Sequence, residues 1–111
     1  MYKNTAGQAI GAQMTLASTG APFAGTVLCY VTGDAGTQAL GTVGSGVCTH
    51  EGNGFYSYNP SQAETNYNHI AFTYVGTGAL PITIQLYTDQ LGGAGTGAPS
   101  WSSRTASATT A

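Results

Sequence analysis

Charge is what this sequence has least of. Its 111 residues include two basic side chains, Lys3 and Arg104, and four acidic ones, Asp34, Glu51, Glu64 and Asp89, so that 5% of the chain is charged. Soluble domains average roughly 25%. With two cations and a formal net charge of −2, no face can neutralise a run of phosphates, which excludes nucleic acid as a partner. Long apolar runs are missing too: nothing approaches the roughly 20 residues of a membrane-spanning helix, so no membrane partner is expected. Cysteine is scarce. Cys29 and Cys48 are the pair, neither in a C-x-x-C motif, and both are expected to be small core residues, with a bridge between them as the alternative. Met1 is followed by polar residues and not by the apolar stretch of a secretion signal, which points to synthesis in a reducing cytoplasm.

What is present is hydrophobic content of 41%, enough for one packed domain without metal or disulfide staples. The polar remainder is dominated by Gly, Ser, Thr, Asn and Gln. A free monomer stays dispersed partly through its charged surface. A chain that forgoes that protection suits life packed against copies of itself or against a larger assembly.

The apolar residues recur with period two. Ile10, Ala12, Met14 and Leu16 alternate with Gly11, Gln13 and Thr15, which predicts a half-buried strand. Thr26–Thr32 is richer in apolar residues and predicts a central strand, with Val27, Cys29 and Val31 on one face. Turn chemistry follows at Gly33–Gly36 and again at Gly44–Gly46, with weaker strand material between them over Thr37–Val43. Val47–His50 and Phe55–Tyr58 flank Glu51–Gly54, and the Asn53-Gly54 dipeptide is a strong hairpin signal. Ser61 and Glu64 form a capping-box pattern after Pro60, predicting a one-turn crossover. His69–Val75 and Ile82–Tyr87 are the cleanest strands. The expected fold is all-β, a single sandwich of six to seven short strands over residues 10–91.

Residues 1–9 are polar and read as an N-terminal arm. Residues 92–111, rich in Gly, Ala, Ser and Thr with no apolar period, read as an extended C-terminal arm. Trp101 is its natural anchor, either in a neighbouring subunit or folded back on its own domain. Interface contacts are expected of Trp101, Arg104, Pro99, Tyr2, Tyr56 and Tyr58.

No catalytic, cofactor or metal site is expected. Cys48 and His50 share a strand face, with Glu51 beside them, but a zinc set would need further ligands from afar. No G-x-S-x-G motif occurs, and the glycine-rich stretches Gly41–Gly46 and Gly92–Gly97 lack a P-loop lysine and a following helix. Tyr56, Tyr58, Tyr67 and Tyr74, with Phe55, are candidates for stacking on sugar rings or for cross-strand pairs within the sheet.

The segments Cys29–Gly46, Thr49–Ala79 and Pro81–Thr88, running "GDAGT", "EGNGFYSY", "SQAET" and "HIAFTY" in order, resemble small virion proteins of tailed bacteriophages. The likeness is to immunoglobulin-like β-sandwich modules on phage capsids and tail adaptors, and more broadly to the carboxypeptidase-regulatory or transthyretin-like sandwiches. It implies an immunoglobulin-like fold and a capsid decoration (cement) protein. Such a protein would bind and bridge the major capsid protein on the virion surface and associate with copies of itself, a trimer being one arrangement. Neck, tail or fibre adaptors and glycan-binding host-recognition modules are the alternatives.

Overall fold

The computed structural model describes residues 1–89. Within them the chain is all-β, with seven strands in two antiparallel sheets, an arrangement compatible with a β-sandwich. The strands are β1 (Ile10–Gln13), β2 (Leu28–Gly33), β3 (Ala39–Leu40), β4 (Thr49–Gly52), β5 (Phe55–Tyr58), β6 (His69–Val75) and β7 (Ile82–Tyr87). One sheet has the order β1-β5-β4 and the other β3-β2-β6-β7, so the chain changes sheet after β1, after β3 and after β5.

Period-two patterning places the core. In β6, Ile70, Phe72 and Tyr74 are fully buried while their neighbours are half-exposed. They sit beside Val27, Cys29 and Val31 of the β2 segment, and Ala12, Met14, Tyr56 and Tyr58 close the core from the other sheet. Burying each of the larger aliphatic and aromatic side chains contributes about 1.5–3 kcal/mol. The predicted strand over Thr37–Val43 shrinks to Ala39–Leu40, because Gly44 and Ser45 both take left-handed φ values, 56° and 57°, and turn the chain away.

The hairpin between β4 and β5 turns on two residues. Gly52 pairs with Phe55, and Asn53 and Gly54 both have positive φ, 49° and 85°, the combination that matches strand twist in a tight hairpin. A bulge at Glu51 separates the His50–Tyr56 and Gly52–Phe55 pairs. The capping box at Ser61 and Glu64 is formed: Ser61 N–H donates to Glu64 Oε1 at 3.0 Å and Glu64 N–H to Ser61 Oγ at 3.3 Å. It nucleates a 3₁₀ turn over Ala63–Thr65 that carries the chain between sheets.

Residues 1–9, expected as an N-terminal arm, are hydrogen-bonded to Thr65 and Asp89 at their start. Lys3 N–H donates to the Asp89 carbonyl at 2.7 Å, Asp89 N–H to the Met1 carbonyl at 3.0 Å, and Asn4 N–H to the Thr65 carbonyl at 3.0 Å. Tyr2 bridges Asp89 in parallel register. The expected C-terminal arm, with Pro99, Trp101 and Arg104, lies outside the described residues.

Candidate interaction surfaces and the buried polar centre

The expected interface tyrosines divide. Tyr2 remains 47% exposed. Tyr56 and Tyr58 do not offer a surface, and that expectation is corrected: both rings are in the core. Pairing of β5 with β1 explains it, since Tyr56 lies opposite Ala12 and Tyr58 opposite Ile10. Each phenol reaches an acceptor outside its own strand. Tyr56 O–H donates to the Gly25 carbonyl at 2.6 Å, and Tyr58 O–H to Glu64 Oε1 at 2.7 Å.

Glu64 organises a buried polar centre. It is 8% exposed. Its Oε1 accepts from Tyr58 and from Ser61 N–H, and its Oε2 accepts from Thr42 N–H at 2.9 Å. Burial, and then the bond to Glu64, hold the Tyr58 phenol above its ordinary pKa. The arrangement clamps the β3–β4 connection to the crossover turn between the sheets. Beside it lies a groove of ≈ 420 Å³, lined by Gly33, Thr37, Leu40, Ser61, Glu64 and Tyr67 among others.

Cys48, His50 and Glu51 do not converge. Cys48 points inward beside Cys29, the His50 ring stacks on Tyr56 with centroids 4.6 Å apart, and Glu51 Oε2 accepts from Ser57 Oγ at 2.6 Å. Among the described residues no group of three or more His, Cys, Asp or Glu side chains is placed to hold a metal ion. Asp34, predicted only as a turn residue, does more: its Oδ1 accepts from the N–H groups of Asn68 and His69 at 2.9 and 3.0 Å, tying the β2 end to β6.

The two cysteines are free and buried. The neighbouring Cys48 thiol, and then burial, raise the Cys29 thiol well above its ordinary pKa. Because both thiols are buried, titration of the folded protein with a soluble aromatic disulfide at neutral pH is expected to label neither on the timescale that labels both in denaturant. Rapid labelling of the native chain would show that the core opens at β4.

The aromatic side chains considered for sugar stacking are dispersed. Tyr56, Tyr58 and Tyr74 are buried; Phe55 lies over Gly11 of β1, and Tyr67 over Gly33 of β2. Besides Tyr2, Phe55 and Tyr67, the exposed large apolar residues among those described are Leu40, Val43 and Val47 around the β3–β4 connection, Leu80 before β7, and Tyr87, 79% exposed, at its end. No protein-family model, curated protein or solved structure matches this chain.

Proposed function

We propose that this chain is a structural virion protein of the capsid decoration (cement) type. In this reading its sheets form an immunoglobulin-like sandwich, and it binds and bridges major capsid protein subunits on the particle surface. The observation that carries the reading is the sparsely charged surface. Of the described charged residues, Glu64 is buried in its own network, and Lys3, Asp34 and Glu51 each make a hydrogen bond to a neighbouring group. Leu40, Val47, Leu80 and Tyr87 meanwhile stay at least 41% exposed.

Such a surface packs many copies side by side with little like-charge repulsion, and strands few charges when an interface closes over it. Many modest contacts then add through avidity, so no single deep site is needed. A glycan-binding module would draw on aromatic rings gathered on one patch, and the dispersal of Phe55 and Tyr67 over different sheets favours the structural reading over it.

The test is the amount of this protein in purified particles, measured by calibrated mass spectrometry against the major capsid protein. Near-stoichiometric amounts are expected, falling to background when residues 92–111 are deleted while the sandwich stays folded. A few copies per particle would move the protein to the neck, tail or fibres, and no association would end the virion reading. Full occupancy by the deletion variant would remove the arm as its anchor.

A further inference from the structure

The groove beside Glu64 exists because small residues stand along it. Gly33 ends β2, Gly36 lies in the turn beyond, Ala39 begins β3 and Ala63 opens the crossover turn, and all four line the space. Its walls are of two kinds. Val31, Ala39, Leu40 and Ala63 are apolar, Leu40 is exposed, and the Tyr67 ring lies over Gly33. Glu64 contributes the only buried charge among the described residues.

That carboxylate has room for one more donor. It offers about four acceptor directions. Oε1 uses two, on the Tyr58 hydroxyl and Ser61 N–H, and Oε2 uses one, on Thr42 N–H. All three donors are neutral, whereas a buried carboxylate is best balanced by a cation. Lys3, the one basic side chain among the described residues, is turned to Asn68 Oδ1 at 2.9 Å. The other basic side chain of the sequence is Arg104.

The chain leaves the described domain close to this groove. Thr88 N–H donates to the Asn68 carbonyl at 3.0 Å and the Thr88 hydroxyl to the Tyr67 carbonyl at 2.6 Å, so the end of β7 touches a lining residue. From β7 across β6 and β2 to β3 is three strand spacings, about 14 Å. Residues 90–104 span up to about 50 Å when extended, so Arg104 reaches Glu64 with length to spare. After Asp89, Trp101 is the only aromatic residue and Arg104 the only charged one. They match the two kinds of wall.

We propose that residues 99–104 of the same chain seat in this groove, with the Arg104 guanidinium on Glu64 Oε2 and the Trp101 ring against Leu40 and Tyr67. The inference goes beyond the virion reading and does not rest on it. A guanidinium–carboxylate bond is charge-assisted, and apolar walls screen it less than open solvent would. Trp101 covers apolar surface that the domain itself leaves bare. Attachment to the same chain presents the segment at roughly millimolar effective concentration, so contacts too weak to hold a separate partner suffice here.

Trp101 is the only tryptophan, so its fluorescence reports the seat directly. The test is acrylamide quenching of the full chain from low to high micromolar concentration. The native chain is expected to shield Trp101 equally at every concentration, and denaturant to expose it. Arg104→Glu should lower the ratio of seated to free segment about tenfold or more, while Arg104→Lys, which keeps the charge, should retain part of the shielding. Leu40→Lys should also expose the ring, by setting a cation beside Arg104. Circular dichroism and a cooperative unfolding transition, unchanged in these variants, separate loss of the seat from loss of the fold.

A Trp101 open to quencher in the native chain overturns the inference. So does shielding that grows with concentration, which would give the groove to the segment of a second copy. Shielding that survives Arg104→Glu, or that survives in a folded Leu40→Lys, places the ring elsewhere and overturns it too. Should Leu40→Lys not fold, Arg104→Glu decides alone, since it alters no residue of the described domain. A seated segment in a chain that never associates with particles would leave this inference standing and remove the virion reading.

Discussion

Replacing Glu64 by alanine is expected to cost the fold about 3–4 kcal/mol, a large part of the 5–15 kcal/mol typical of a small domain. The substitution removes one carboxylate and leaves three donors without an acceptor: the Tyr58 phenol and the N–H groups of Ser61 and Thr42. Each buried donor stranded in this way costs about 1–3 kcal/mol. The adjoining groove lets water reach part of the site, so the sum falls below the upper limit. Tyr58→Phe is the milder counterpart, near 1 kcal/mol, because Glu64 keeps its two main-chain donors. Chemical denaturation at unchanged m-value reads both numbers. A loss under about 1 kcal/mol for Glu64→Ala would mean that solvent or a rearranged turn already satisfies these groups.

That network also marks where sequence reading stops. The spacing of Ser61 and Glu64 predicts their reciprocal bonds, because a capping box is local. Nothing local indicates that the same carboxylate also accepts from Thr42, 22 residues away, and from Tyr58. β6 and β7 are legible to the residue, since each alternates cleanly against one buried face. β5 is ambiguous by the same rule. Its Phe55-Tyr56-Ser57-Tyr58 alternation permits either face to point inward, and the more apolar Phe55 ends up 42% exposed. Pairing with β1 decides it, by setting Tyr56 and Tyr58 beside Ala12 and Ile10, and the Gly25 carbonyl and Glu64 carboxylate that accept from them make the buried phenols tolerable.

The docking of Met1–Asn4 is illegible for a related reason. Its partners, Thr65 and Asp89, lie at the far end of the described chain, and polar residues next to glycine look the same whether free or paired. That β7 ends its sheet among the described residues follows only once strand order is known. Alternation identifies a strand and its faces, but not whether a neighbour lies on one side or both.

The second large effect belongs to Gly54, where a hairpin position and a packing position coincide. Gly54→Ala is expected to destabilise the domain by about 3 kcal/mol. One part is conformational: φ is 85°, a left-handed value that costs a residue with a Cβ about 1–2 kcal/mol. The other part is contact. A Cβ at this position would stand 2.6 Å from the Met14 carbonyl oxygen and 3.1 Å from Phe23 N. Those are the two ends of one hydrogen bond, because Phe23 N–H donates to that carbonyl at 3.0 Å. Met14 N–H in turn donates to the Gly54 carbonyl at 2.7 Å, so the added carbon pushes apart the strand ends that its own peptide holds together.

Gly44 provides the control. Its φ is 56°, and a Cβ there meets nothing within 4 Å, so Gly44→Ala should show the conformational cost alone, about 1 kcal/mol. The difference between the two variants in thermal or denaturant unfolding measures the contact at Met14. Equal losses would mean that the β1–β5 seam yields to a methyl group, and that the hairpin needs Gly54 only for its turn.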